Sequence, residues 1–173
     1  ITYYDAAPKA ISIIPCGVNL DLFRPIQRET ARCHLGLNGE SIIVFVGRII
    51  PLKGIDNMLK AMAHMEGKQR IKLLVIGGDD HSQAEMRRLK KLSHTLMLDE
   101  SLIFLGSVKQ ETLHFFYSAA DLCVVPSYYE SFGLVVLESL ACGTPVVATN
   151  VGCAENVIRC GETGYVVKDN DPL

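Results

Sequence analysis

Four charged residues stand where the chain is otherwise apolar: Arg48 and Lys53 in GRIIPLKG (47–54), and Glu130 and Glu138 in SYYESFGLVVLESLACG (127–143). Arg48 and Lys53 have the charge and spacing to neutralise a diphosphate without a metal. Gly47 lets a ligand approach the backbone, and a helix starting after Lys53 offers free N–H groups to an anion. Charge-assisted hydrogen bonds of this kind contribute about 1.5–3 kcal/mol each. Two solvated cations at loop ends would look the same, so that reading stands beside the first. Glu130 precedes a helix whose first N–H groups fall around Phe132, Gly133 and Leu134, with Ser131 placed to cap it. Glu138 lies inside that helix between VVL and SLACG, so a carboxylate there needs a partner. Neighbouring sugar hydroxyls are suitable donors. The plainer alternative has Glu130 serving only the helix dipole and Glu138 facing solvent.

Other chemistries find less support. A two-carboxylate glycosidase would use Glu130 and Glu138 as its acid pair but leave Arg48 and Lys53 idle. GGDD (77–80) reads as a polar turn as readily as a metal site, and no metal is expected. GxGxxG and GxxxxGK[ST] are both absent, so neither a dinucleotide fingerprint nor a P-loop is signalled. The histidines at 34, 64, 81, 94 and 114 show no ligand spacing. Six cysteines without a CxxC pair read as buried free thiols of a reducing, cytoplasmic compartment. A formal net charge of −2 with dispersed Lys and Arg argues against nucleic acid as a partner. No apolar run reaches the roughly 20 residues needed to span a bilayer, so membrane contact is peripheral if any.

The elements that must position these residues alternate. Apolar strands are expected at 11–15, 41–47, 71–78, 101–106, 121–126, 145–149 and 161–167. Helices are expected at 54–65, 82–96, 111–119, 134–143 and 154–159, the first with apolar residues at 55, 58, 59, 62 and 65. In the 82–96 helix the basic cluster is expected on a solvated face. Near-continuous apolar strands linked by helices predict an α/β domain with a parallel, Rossmann-like sheet covered on both faces. The 49% hydrophobic content and mean hydropathy of +0.22 agree. Residues 1–40 read as an interdomain connector with a first strand, and 41–173 as the Rossmann-like domain. Ligands of such sheets bind beyond the carboxyl ends of the strands, which directs attention to 47–54, 77–82, 106–110, 126–133 and 149–155.

Taken together, IIPCGVNLDLF (13–23), FVGRIIPLKG (45–54), LLVIGG (73–78), FLGSV (104–108), AADLCVVPSYYESFGLVVLESLACGTPVVAT (119–149) and GETGYVV (161–167) resemble the carboxyl-terminal half of the family-4 retaining glycosyltransferases of GT-B architecture. The pattern is similar to the sucrose-phosphate synthase and mycothiol-pathway branches, which use UDP-glucose or UDP-N-acetylglucosamine. The resemblance implies a domain that binds a sugar-nucleotide donor without a metal or other cofactor. Arg48 and Lys53 would hold the diphosphate beside Gly47, and Glu138 the ribose. Glu130 would be the catalytic-site acid touching the transferred sugar, beside the N–H groups of Phe132, Gly133 and Leu134. Val108 would meet the base through its backbone. Asn19 departs from the family's usual Asp in the "GVD" turn. The acceptor hydroxyl compound would be bound by an amino-terminal domain absent here, and the carboxyl-terminal end is expected to be truncated. This piece is therefore expected to bind nucleotide without completing transfer. A non-catalytic interaction domain and a nucleotide-sugar epimerase of the same architecture are the alternatives.

Overall fold

The apolar runs become strands β1 (Ser41–Val46), β2 (Ile71–Ile76), β3 (Leu102–Gly106), β4 (Leu122–Val125), β5 (Val146–Thr149) and β6 (Gly164–Val167). They are seen in a computed structural model that describes residues 11, 12 and 14–168. Helices are α1 (Arg28–Leu35), α2 (Ile55–His64), α3 (Gln83–Thr95), α4 (Leu113–Ala119), α5 (Leu134–Ala141) and α6 (Ala154–Val157). All six strands pair in parallel, in the order β3-β2-β1-β4-β5-β6. This is the doubly wound Rossmann order, whose direction of winding reverses between β1 and β4.

Successive strand residues feed opposite faces. From β1, Ile42 and Val44 pack with Leu113, Tyr117, Val136 and Ala154 of α4, α5 and α6 on one face. Ile43 and Phe45 pack with Ile55, Leu59, Met62 and Leu89 of α2 and α3 on the other. The apolar spacing read along 54–65 thus buries Ile55, Leu59 and Met62, while Arg87, Arg88, Lys90 and Lys91 of α3 are exposed as expected.

Pairing across the reversal is short. β1 matches β2 over six residues, from Ser41↔Ile71 to Val46↔Ile76. It meets β4 only at Ile43↔Leu122 and Val44↔Cys123. Side chains reinforce this seam at its amino end. Asp121 Oδ2 accepts from the Ile42 amide at 2.7 Å and from Arg32 Nη2 at 2.7 Å, and Oδ1 accepts from Arg28 Nη1 at 2.9 Å.

Two expectations are corrected. Residues 28–35, taken as connector, form α1, which is packed beside α4 and ends at Gly36 in the left-handed region (φ 66°). The strand expected at 11–15 does not form at residues 11, 12, 14 and 15, and Ile13 lies outside the described residues. Ile14 is 85% exposed, and the sheet has no strand paired with this segment, so apolarity alone did not make it a strand. Asn19 performs the turn's local work: its Oδ1 accepts from the Asp21 amide at 3.0 Å. Cys123, Cys142 and Cys153 are buried thiols, whereas Cys16, Cys33 and Cys160 are exposed. Burial pushes the Cys123 and Cys142 thiols up to about 12. No helix among the described residues is long and apolar enough to cross a membrane.

Candidate functional site

Because β1 and β4 are neighbours, the loops that follow them face each other across the reversal. The Tyr128 amide donates to the Leu52 carbonyl at 2.9 Å, and Asn57 Nδ2 donates to the Tyr128 hydroxyl at 2.8 Å. Between the loops lies a cavity of about 300 Å³ lined by Arg48, Leu52, Lys53, Glu130, Phe132, Gly133 and Leu134, among others. A second cavity of about 400 Å³ lies beyond the ends of β1, β2 and β3, lined by Gly47, Arg48, Gly77, Asp79, Ser107, Val108 and neighbours. Arg48 lines both and is exposed to solvent.

The backbone makes this arrangement tight. Gly77 packs so closely on the Gly47 carbonyl that a Cβ there would lie 2.0 Å from its oxygen. Behind the Glu130 loop, a Cβ on Gly152 (φ 58°) would lie 2.3 Å from the Phe132 carbonyl oxygen. The Cys153 amide donates to that same oxygen at 2.7 Å, so the segment after β5 braces the entry to α5.

Lys53 and Glu130, 77 residues apart in sequence, form an ion pair: Nζ lies 2.6 Å from Oε1, with side chains only 11% and 18% exposed. Ser127 Oγ donates to the same Oε1 at 2.8 Å. Ser127 is in turn held by Thr149 at the end of β5, whose hydroxyl donates to its carbonyl. The pairing was not foreseen from the two motifs, because only the β1–β4 adjacency joins them.

Helix α5 begins at Leu134, the start of the expected 134–143 run and two residues past Phe132, where its free N–H groups were expected to begin. Its cap is Gly133 in the left-handed region (φ 87°), with no side-chain cap, so Ser131 does not serve that role. Phe132, Gly133 and Leu134 still line the smaller cavity with Glu130.

Glu138 sits one turn further along α5, away from the lining of both cavities and 9% exposed. Its partner is Tyr117 of α4, whose hydroxyl donates to Oε2 at 2.8 Å. Burial pushes the Glu138 carboxyl up, and the Tyr117 bond pulls it back down. Burial also pushes the Tyr117 phenol far up, keeping it a donor. The two acids therefore occupy different environments, one on a cavity wall beside a lysine and one behind it on a tyrosine.

Several site residues escaped the sequence reading. Tyr117 was hidden in an apolar helix pattern, and Ser127 in a proline-serine turn. Asp79 had been seen only within the GGDD turn. It accepts from the His81 amide and from Ser82 Oγ, which makes it the cap of a helical turn on the wall of the larger cavity. Among the described residues no group of His, Cys, Asp and Glu is arranged to hold a metal ion. Two cations, a helix start and a carboxylate around two hollows that share Arg48 suit a polyanion that also carries hydroxyl groups.

Comparison with known proteins shows the family to which the chain belongs. Residues 27–172 match the family described as Glycosyl transferases group 1. The D-inositol 3-phosphate glycosyltransferase of Acidothermus cellulolyticus is 40% identical over 179 residues, covering 99% of this chain and 40% of the relative. The enzyme of that name from Mycobacterium sp. (strain KMS) is 43% identical over 173 residues, covering 99% and 39%. The chain thus spans about two fifths of the length of these curated relatives.

Among solved structures, sucrose-phosphate synthase from Thermosynechococcus elongatus superposes with a TM-score of 0.83 at 42% identity, covering 92% of this chain and 40% of that one. The C-terminal domain of a group 1 family glycosyl transferase from Francisella tularensis gives 0.80 at 27%, covering 90% and 82%. Anabaena HepE, solved with UDP-glucose, gives 0.78 at 24% over 90% of this chain and 43% of that one, a likeness of fold. The chain belongs to the group 1 glycosyl transferases, and its sheet is the Rossmann-like carboxyl-terminal domain of their GT-B arrangement.

Proposed function

We propose that the two cavities together bind the sugar-nucleotide donor of a glycosyl transfer. One observation carries this reading: the loops after β1 and β4 bring Arg48, Lys53, Glu130 and the start of α5 around a single hollow at the sheet's reversal point. There the diphosphate would lie against Arg48, Lys53 and the amides around Gly133 and Leu134. The nucleoside would occupy the larger cavity beside Gly47 and Val108, and the transferred sugar would offer a hydroxyl to Glu130. Glu138 would receive the ribose hydroxyls. Tyr117 engages Oε2, so Oε1 keeps acceptor capacity for a hydroxyl that reaches α5.

Transfer would proceed with retention of anomeric configuration. The acceptor hydroxyl would approach from the leaving-group side, carried by an amino-terminal domain beyond this chain. A diphosphate oxygen would take its proton. The residues here contribute orientation and charge stabilisation around the diphosphate and sugar, with no metal required. A UDP-sugar is the donor of choice for testing, since HepE, of the same fold, was solved with UDP and UDP-glucose.

Calorimetric titration with UDP, GDP and ADP, then with their glucose conjugates, in buffer containing chelator, tests the reading. Heat from at least one nucleotide without metal is the expected result. Silence from all of them, with and without Mg²⁺, overturns donor binding; heat only with Mg²⁺ overturns the metal-free mode.

A further inference from the structure

Lys53 and Glu130 meet where an incoming diphosphate must compete for the ammonium. The contact is short, at 2.6 Å, and both side chains are largely shielded. The carboxylate is not free to swing away, because buried Ser127 donates to the same Oε1 and is itself tied to Thr149 on β5. A ligand phosphate therefore finds Lys53 already engaged and a fixed negative charge beside it, with Arg48 the exposed cation on the same wall.

That arrangement treats the two ends of a glycosyl transfer differently. A sugar nucleotide has an esterified outer phosphate and brings hydroxyls that can donate to Glu130. The spent nucleoside diphosphate has lost those hydroxyls. Its terminal phosphate also carries up to one further negative charge at neutral pH, because its second ionisation falls near pH 6. We propose that the Lys53–Glu130 pair discriminates the donor from the spent nucleoside diphosphate, weakening product binding by occupying the ammonium that the terminal phosphate would otherwise take. This rests on the donor-binding reading above and deepens it: Glu130 is a specificity residue acting partly through Lys53, and Ser127 is its positioning residue.

The test is a set of calorimetric titrations with UDP and UDP-glucose on the parent chain, Glu130→Gln, Lys53→Gln and the double variant, each shown by circular dichroism to be folded. Glu130→Gln is expected to tighten UDP on the order of tenfold, near the low end of a unit-charge interaction at partly screened range. Its UDP-glucose affinity should be unchanged or weaker, and the UDP gain should vanish once Lys53 is replaced. Unchanged or weaker UDP binding in Glu130→Gln overturns the proposal. So does an equal gain in the Lys53→Gln background, which would mark direct repulsion instead of competition for the ammonium. Failure of the parent to bind either ligand overturns the donor reading itself, and this inference with it. If Glu130→Gln does not fold, Ser127→Ala carries the test: it must raise the UDP to UDP-glucose affinity ratio, and an unaltered ratio overturns the proposal.

Discussion

Replacing Tyr117 by Phe removes one oxygen from the centre of the domain. Tyr117 is fully buried, and its hydroxyl is the donor to Glu138 Oε2 at 2.8 Å. A hydrogen bond to a charged group contributes about 1.5–3 kcal/mol, and leaving a buried acceptor unpaired costs at least as much. For a chain of this size each kcal/mol moves the melting temperature by about 2–4 °C, so Tyr117→Phe should melt about 3–12 °C lower at pH 8.

The sign of the pH dependence follows from the raised Glu138 carboxyl. With its folded pKa above the unfolded value of about 4.3, the folded chain holds more protons between the two, and stability falls as pH rises through that window. Below it the carboxyl is protonated in parent and variant alike, and the lost bond is a neutral one contributing about 0.5–1.5 kcal/mol. Deleting the phenol removes the bond that lowers the folded pKa, so the window extends upward and the deficit grows with pH. Far-UV circular dichroism melts at pH 3.5 and pH 8 are the assay, as the chain has no Trp. Equal deficits at the two pH values would refute the charged hydrogen bond, and no deficit at either would refute the contact.

Two further perturbations probe the scaffold. Gly152→Ala places a methyl group 2.3 Å from the Phe132 carbonyl oxygen at a positive φ, and should cost more than about 2 kcal/mol in urea unfolding. Nucleotide affinity should fall with it, since Phe132 leads into α5; normal stability would show that the loop yields freely. Asp121→Asn weakens the bonds to Arg28 and Arg32 while keeping an acceptor for the Ile42 amide. The site is about one third exposed, so the loss should be only about 1–2 kcal/mol. Faster limited tryptic cleavage at Arg28 and Arg32 is the accompanying readout, and parent-like cleavage would count against the clamp.

Elements with a strong internal pattern were legible in the sequence. SIIVFVG and IKLLVIGG are apolar on both faces and could only be covered strands, while the spacing of Ile55, Leu59 and Met62 marks one buried helix face. Helix α1 was not legible, because RETARCHL buries only Ala31 and is secured by Asp121, some 90 residues away. The reverse error befell the 11–15 run, apolar enough for a strand, whose residues 11, 12, 14 and 15 join no strand. At the site, residue types and loop positions identified Arg48, Lys53 and Glu130, since ligands gather beyond strand ends. Their mutual bonding was invisible, for it depends on which strands become neighbours. The cap of α5 was misassigned because a serine at Ser131 satisfies the local rule, whereas the chain turns through the left-handed conformation at Gly133.

The brief pairing between β1 and β4 has a consequence for how the molecule breathes. Two matched positions there, against six between β1 and β2 and three between β4 and β5, make it the shortest pairing in the sheet, and the parts on either side of it meet along a seam. At the carboxyl end of that seam the joining is done by Lys53–Glu130, Tyr128–Leu52 and Asn57–Tyr128, the same loops that surround the cavity. Anything lodged between them spans both sides and acts as a rivet. Its occupancy should be written less in the atoms it touches than in the amide hydrogens of β1 and β4, whose exchange slows as the sides cease to part.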